Sequence, residues 1–329
     1  MASTSGSIAK IEFGPAKATW EVTKRTKIPM MQYIKIMWTS GKHITMHPYI
    51  IGDGAGRDVL CGIDEATNEE ASVVVKIQSW NWHEESNGYE FGLATTVMDF
   101  CTPEFYGVHR VQYASKYPNY HQTYDLSVSV VAKVPHTMHN YALRMFAFPL
   151  NDEAVCLIFS WVRCILELAF VLCQEKKMRV SDFHFKNIGL MDDLKLVLID
   201  VEACTEAPEV RPKQRAVKGM SDFFGELNMA MVAATADKSW GTFRSVFSRE
   251  IGSWWSCLHE VPSHAVISSK IQDAIAFTQN FFPILASASI STSSSASTST
   301  FFTSRSSCTD NVFNYASAVC IPAAICQRR

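Results

Sequence analysis

Hydrophobic and polar positions follow different patterns in the two halves of this chain. In the first half, short runs rich in β-branched and apolar residues are separated by glycine or by polar residues, which is typical of strands and turns. These runs occupy residues 47–51, 57–63, 71–77, 104–113 and 126–134. The pattern at 83–99 is weakly helical, and residues 1–45 carry no pattern that assigns them. We therefore expect the first half to be mainly sheet.

Helical spacing dominates the second half. Apolar residues recur every three or four positions from Ala154 to Cys173, a run that also has the length of a membrane span. Arg163 and Glu167 lie near its middle, where each charge would be costly in a bilayer, so we predict a buried core helix. A loop, a short hairpin and two more helices follow, at 180–187, 188–199, 221–236 and 266–280.

Composition narrows the class of protein. The 329 residues are 47% hydrophobic and 19% charged, which is typical of a globular chain. Because 30 Lys and Arg balance 32 Asp and Glu, we expect neither a nucleic-acid nor a membrane partner. The ten cysteines form no C-x-x-C pair and the first residues do not resemble a secretory leader, so we expect reduced thiols and a cytoplasmic or nuclear location. Residues 287–309 are rich in Ser and Thr, which predicts that the tail from 287 to 329 is disordered.

A glycine-rich turn between two predicted strands is the first candidate for chemistry. Gly52, Gly54 and Gly56 lie within the run from Ile51 to Val59. Glycine has no Cβ, so backbone N–H groups there can approach a polyphosphate closely. An ordinary hairpin turn explains the same residues.

A lysine at the end of an apolar strand is the second candidate. Lys76 follows three valines, and a buried ammonium requires an anionic partner such as a phosphate or a carboxylate. The alternative is a lysine whose amine reaches water from the strand end.

The third candidate is a set of oxygen-bearing side chains around the predicted hairpin. Asp182 and Asn187 lie in the loop before it, and Asp200 follows its second strand. Phosphoryl transfer requires a carboxylate that orients a hydroxyl and oxygen ligands that hold Mg²⁺. The alternative is that both aspartates only cap a turn or end a strand.

Taken in order, these segments resemble the protein kinase superfamily. The run from Ile51 to Val59 is similar to the glycine-rich loop G-x-G-x-x-G-x-V, and VVVK at 73–76 is similar to V-A-I-K. SDFHFKN at 181–187 resembles H-R-D-x-x-x-x-N, and IDVE at 199–202 takes the place of D-F-G. The resemblance implies an α+β, bilobal protein-kinase-like fold. Its mainly antiparallel β N-lobe would span 46–140 and its mainly α-helical C-lobe 141–286, with 1–45 as an extension.

The resemblance also implies a role for each matching residue. Asp182 would be the catalytic base, Asn187 and Asp200 would bind Mg²⁺, and Lys76 would bind ATP phosphates together with Gly52, Gly54, Gly56 and Val59. A glutamate that pairs with Lys76 is expected at Glu90, with Glu84 and Glu85 as competitors. Asp222 would be a structural residue of the central helix.

Several positions depart from the family pattern. Arg57 replaces the third loop glycine, and His184 replaces a lysine two residues after the base. Val201 and Glu202 replace the Phe-Gly of D-F-G, which removes the familiar switch. Four basic residues in the short segment between Asp200 and Asp222 are interpreted as a solvated loop, with docking of phosphate or an acidic substrate as the alternative: Arg211, Lys213, Arg215 and Lys218.

Three functions follow. The leading hypothesis is an Mg·ATP-dependent phosphotransferase, a divergent protein kinase that transfers the γ-phosphate to a hydroxyl. The second is a pseudokinase that serves as a nucleotide-binding or scaffold module. The third is a small-molecule kinase of the choline or aminoglycoside type, which the short segment after Asp200 favours. ATP is the expected partner in the first and third, with a protein or small molecule as substrate.

Overall fold

The computed structural model describes residues 7–19, 21–53, 57–80, 102–117, 120–191, 196–200, 204–234 and 238–279. The chain divides into two compact units, Met1–Lys133 and Val134–Arg329. This division lies earlier than the boundary predicted between residues 140 and 141. The predicted tail, 287–329, and the weakly helical stretch, 83–99, lie outside the described residues.

A single antiparallel sheet forms the described part of the first unit. Its strands follow one another in space as β1-β2-β3-β4-β5-β7-β6. The strands are β1 (Ile8–Phe13), β2 (Ile34–Trp38), β3 (His43–Asp53), β4 (Asp58–Asp64), β5 (Val73–Ser79), β6 (Phe105–Tyr117) and β7 (Tyr120–Ala132). Strands β1 and β2 lie in the region 1–45, which the sequence left unassigned, and this part of the chain therefore contributes two strands to the sheet. The expected antiparallel, sheet-rich first half is confirmed.

The sheet curls until its two outer strands approach each other. Phe13 on β1 meets Tyr113 on β6 edge to face, with ring centroids 5.7 Å apart, and Trp38 meets Tyr106 in the same way at 5.8 Å. The concave face encloses the hydrophobic core of the unit, to which β5 contributes Val73, Val75 and Ile77. Since side chains alternate along a strand, Val74, Lys76 and Gln78 lie on the other face of β5.

The second unit is mainly helical, as the sequence predicts. Its helices are α1 (Met138–Met145), α2 (Asp152–Phe170), α3 (Pro212–Ala233), α4 (Lys238–Phe247), α5 (Ser253–Cys257) and α6 (His264–Gln279). Short strands lie between α2 and α3, and one precedes α1: β8 (His136–Thr137), β9 (Met178–Val180), β10 (Ile188–Leu190), β11 (Leu196–Leu198) and β12 (Cys204–Glu206). Strands β8, β10 and β11 form one small sheet, and β9 pairs with β12 in another.

Helix α2 is the core helix that the sequence predicts. The Asn151 side chain caps it by accepting a hydrogen bond from the Ala154 N–H at 2.8 Å. Among the described residues, one stretch is long and apolar enough to cross a membrane, Asp152–Glu175, and 78% of its most apolar window is buried inside the unit. Its two internal charges pair with each other, since Arg163 Nε donates to Glu167 Oε1 at 2.9 Å. The carboxylate also faces His264 Nε2 at 2.9 Å.

The described cysteines are mostly free thiols. Cys173 and Cys204 are buried, and burial raises the pKa of each to about 12, so both stay protonated at neutral pH. Cys156 of α2 is disulfide-bonded, which departs from the expectation that all thiols are reduced.

Candidate functional site

The predicted glycine turn joins β3 to β4. Gly52 pairs with Val59 across this hairpin, while Gly54 and Gly56 lie outside the described residues. A Cβ added at Gly52 would meet the Val59 Cβ at 3.8 Å, which is an ordinary contact. Packing among the described residues therefore does not require glycine at position 52.

Lys76 lies on β5, between β4 and β7, and its polar neighbours Arg57, Gln78 and Ser129 are also buried. It pairs with Val59 on β4 and with Ser129 on β7, and the residue is 6% exposed. Arg57, also 6% exposed, donates from Nε to Gln78 Oε1 at 3.0 Å. Since Gln78 is two residues after Lys76, the face of the sheet opposite the core carries two cations side by side. The candidates for the lysine's partner, Glu84, Glu85 and Glu90, lie outside the described residues.

In the second unit, a hydrogen-bonded loop brings Asp182 to Asn187. Asn187 Nδ2 donates to Asp182 Oδ2 at 2.7 Å, and the Asn187 backbone N–H donates to the His184 carbonyl at 2.8 Å. These bonds close the six residues into a compact loop and fix the direction of both side chains.

The hairpin then returns the chain to the same place. Strands β10 and β11 pair in the register Ile188 to Leu198, and the Ile199 N–H donates to the Asn187 carbonyl at 2.8 Å. Asp200, the next residue, therefore lies at the same end of the hairpin as Asn187. Asn187 and Asp200 are thirteen positions apart in sequence, and the antiparallel pairing of the two strands brings them to the same end of the hairpin.

Helix α3 contacts this loop through Glu226. Glu226 accepts a hydrogen bond from the Phe185 N–H at 2.6 Å and another from His184 Nδ1 at 2.8 Å. The close approach depends on Gly219, where a Cβ would lie 3.1 Å from the Val180 carbonyl oxygen. Glu226 is a residue that sequence reasoning missed, since it lies 42 residues from its partner and no local pattern marks it.

His184 is surrounded by carboxylates. Its Nε2 atom lies 3.2 Å from Asp182 Oδ1 and 3.9 Å from Asp222 Oδ2, while Nδ1 faces Glu226. The sequence predicted Asp222 as structural and His184 as a weaker substitute for lysine. In the structure, His184 lies between Asp182 and two carboxylates of helix α3.

The described residues after Asp200 begin at Cys204 and are paired with neighbouring elements. Strand β12 pairs with β9 in the register Cys204 to Val180, and α3 begins at Pro212. Burial, together with the negative charge of Asp200, raises the pKa of the Cys204 thiol in β12. Val201 and Glu202 lie outside the described residues.

The predicted solvated loop of basic residues is wrong for most of its members. Arg215 is buried in α3 and donates to the carbonyl oxygens of Ala207 at 2.7 Å, Pro208 at 2.8 Å and Cys173. Lys213 donates to the carbonyls of Trp255 and Leu258. These positions bind backbone oxygens because α3 begins earlier than its hydrophobic pattern suggests. Lys218 is exposed and pairs with Asp222.

The predicted site residues thus form two groups. Gly52, Val59 and Lys76 belong to the sheet unit, and Asp182, Asn187 and Asp200 lie together in the helical unit. Gly54, Gly56 and Glu90 fall outside the described residues.

Comparisons with known proteins give distant structural matches only. No protein-family profile matches the sequence, and no curated protein sequence matches it. Among solved structures, the chain matches the ROP18 kinase domain in complex with AMP-PNP and sucrose, with 14% identity and a TM-score of 0.35. The match covers 51% of this chain and 54% of that chain, so it spans about half of each. A TM-score of 0.35 is too low to show a shared fold.

Proposed function

We propose that this chain is an Mg·ATP-dependent phosphotransferase of kinase-like fold that transfers the γ-phosphoryl group of ATP to a hydroxyl. The contact between Asp182 and Asn187, with Asp200 at the same end of the hairpin, carries this proposal. A carboxylate beside two potential oxygen ligands for Mg²⁺ is the arrangement that positions a hydroxyl for phosphoryl transfer.

The side chains that would hold Mg²⁺ fit that ion chemically. Asn187 uses its Nδ2 to bond Asp182, which leaves its Oδ1 as a ligand, and Asp200 supplies a carboxylate. Both are the hard oxygen ligands that Mg²⁺ prefers. When bound, the ion would neutralise charge on the phosphates of ATP.

Each remaining residue has a role set by its chemistry. Asp182 orients the acceptor hydroxyl and takes its proton as the oxygen bonds to phosphorus and ADP leaves. Lys76 offers a positive charge to the phosphates, and Gly52 allows the backbone of the turn to approach them. Arg57 adds a second cation on the same face as Lys76.

A small-molecule hydroxyl is the acceptor that the helical unit favours over a peptide. Only eleven residues separate Asp200 from Pro212, and of these β12 pairs with β9 while Ala207 and Pro208 accept hydrogen bonds from Arg215 of α3. A segment held in this way offers little free backbone for docking an extended peptide. A protein substrate would have to be recognised by other surfaces.

The first test is nucleotide binding by thermal shift. We expect ATP with Mg²⁺ to raise Tm, because a ligand that binds only the folded state stabilises it by about 2.7 kcal/mol at a hundred-fold excess over Kd. Asp200→Asn should lose the Mg²⁺-dependent part of the shift and Lys76→Met most of the shift. Asp273 is an exposed residue of α6, so Asp273→Asn serves as the matched control and should behave as wild type.

A second assay separates binding from transfer. ATP labelled in the γ-phosphate is incubated with the chain and with panels of small alcohols, amino alcohols and peptides. Labelled product from the alcohols supports the small-molecule acceptor. A Tm shift without any transfer or hydrolysis would favour the pseudokinase, and no shift at saturating Mg·ATP would overturn the proposal.

A further inference from the structure

We propose that Asp182, His184 and Asp222 form a binding site for a divalent transition-metal ion of the zinc type. One ligand atom from each of these side chains lies within 4.8 Å of the others. All three belong to the helical unit. The site is separate in its chemistry from the oxygen ligands Asn187 and Asp200, which suit Mg²⁺.

The orientation of the imidazole is the first reason. Glu226 is a hydrogen-bond acceptor at His184 Nδ1, so the ring proton of the neutral imidazole is on Nδ1. The lone pair of Nε2 then points toward the two aspartates. A histidine ligand whose other nitrogen donates to a carboxylate is the arrangement found at protein metal centres, because the carboxylate fixes the tautomer and raises the basicity of the ligand.

The spacing of the ligand atoms is the second reason. Zinc–nitrogen and zinc–oxygen bonds of about 2.0–2.2 Å in a tetrahedron place neighbouring ligands about 3.3–3.6 Å apart. His184 Nε2 is 3.2 Å from Asp182 Oδ1 and 3.9 Å from Asp222 Oδ2. A small rotation of the Asp222 side chain brings the three atoms to the required spacing.

The rigidity of helix α3 is the third reason. Asp222 and Glu226 are one turn apart on α3, so one rigid helix supplies both a ligand and the carboxylate that orients the histidine. The side chains of Asp182 and His184 are 39% and 42% exposed, which leaves room for water as the fourth ligand. The nitrogen ligand selects an ion such as Zn²⁺ over Mg²⁺ or Ca²⁺.

Lys218 is the competitor at this site. Its Nζ lies 2.7 Å from both carboxylate oxygens of Asp222, and its side chain is 60% exposed. An exposed lysine exchanges readily with water, so an incoming ion can displace it. Removing this amine should therefore tighten metal binding.

The experiment titrates the full chain with Co²⁺, which reports tetrahedral coordination by its visible absorption, and with Zn²⁺ in a calorimeter. We expect one ion per chain, a loss of binding of at least ten-fold in His184→Ala and in Asp222→Asn, and a loss of about ten- to a hundred-fold in Glu226→Gln. Lys218→Met should bind several-fold more tightly. Asp273→Asn is the matched carboxylate control and should be unchanged.

Tm without metal verifies that each variant is folded, and histidine-labelled NMR provides a readout that needs no variant. Zn²⁺ should shift the Nε2 signal of His184 and leave its Nδ1 proton in place. The proposal would be overturned if Co²⁺ gave no tetrahedral spectrum or if His184→Ala bound the ion as tightly as wild type. It would also be overturned if Nε2 of His184 carried a proton at saturating Zn²⁺. Occupancy should also inhibit transfer by engaging Asp182, a consequence that rests on the proposed function, whereas the binding test does not.

Discussion

Asn187 donates its side-chain N–H to Asp182 Oδ2 across 2.7 Å. His184 Nε2 lies near the other oxygen of the same carboxylate, at 3.2 Å. The Oδ2 atom of Asp182 is therefore positioned by a donor in its own loop, and Oδ1 lies beside the imidazole. On the proposed function, the bond from Asn187 holds the carboxylate of the base in one orientation.

Asp182→Asn should abolish transfer while keeping nucleotide binding. The amide retains the shape of the carboxylate but cannot accept the proton, so we expect kcat to fall by about 10²–10⁴. ATP turnover and the Mg·ATP thermal shift are measured on the same preparation. Unchanged turnover would show that Asp182 is not the base, and Asp273→Asn controls for the loss of one negative charge.

Gly52→Ala should weaken ATP binding without weakening the fold. The new Cβ meets only the Val59 Cβ at 3.8 Å, and a Gly-to-Ala change at a tolerant position raises the free energy of unfolding by up to about 1 kcal/mol. On the proposed function the Mg·ATP thermal shift should nevertheless decrease, since the methyl group would stand on the side of the turn that the phosphates approach.

Gly62→Ala on the same hairpin is the matched contrast. Its Cβ would lie 2.7 Å from the His47 carbonyl oxygen, so this change should lower Tm in the absence of nucleotide. A normal ATP shift in Gly52→Ala would mean that this turn does not contact the phosphates.

Asp58 should contribute stability that is lost in acid. Burial by itself would raise the pKa of this carboxyl, but hydrogen bonds from the Thr26 hydroxyl and from the Thr26 and Arg25 N–H groups outweigh burial and lower it. A lowered folded-state pKa stabilises the fold above the unfolded pKa of about 3.9, and this stability disappears as pH falls through the folded value.

Urea unfolding between pH 6 and pH 2 measures this contribution. Wild type should lose stability on the acid side, whereas Asp58→Asn should start lower and show a shallower loss. Parallel curves for the two chains would contradict the assignment.

Arg215→Met should destabilise the helical unit by about 3–5 kcal/mol. The guanidinium is buried and donates to three backbone carbonyls. The bond to Cys173 is buried, where a carbonyl left without a donor costs about 1–3 kcal/mol, and the two part-buried bonds from this charged donor are each worth about 1.5–3 kcal/mol or less. Arg249→Met is the surface control, because that arginine is 60% exposed and its pair with Glu250 is worth less than about 1 kcal/mol. Both variants are compared by urea unfolding. Equal losses of the free energy of unfolding would show that the contacts of Arg215 contribute no more than the surface pair of Arg249.

Features that depend on the spacing of residues along the chain could be predicted from the sequence. The alternation around Lys76 placed it on a strand, and the antiparallel hairpin explains why Asp200 returns to Asn187. Local patterns are sufficient there because the deciding contacts are made by neighbouring elements.

What escaped prediction depends on partners distant in sequence. The interaction of Glu226 with His184 is made by an acid on a helix surface, which resembles any solvated residue until the helix is placed. Arg215 was misjudged for the same reason, since its acceptors are backbone carbonyls that carry no residue signature. Strands β1 (IAKIEF) and β2 (IKIMW) were missed because they are short and lie between segments rich in Lys, Thr and Ser.

The pairing of α2 with His264 also matters while the protein is being made. Arg163 and His264 are 101 residues apart, so the ribosome completes α2 about 5–20 seconds before the start of α6 appears. During that interval the most apolar helix of the chain lacks the helix that later covers it. Newly made chains are therefore most exposed to aggregation, and most in need of a chaperone, before residue 264 is synthesised.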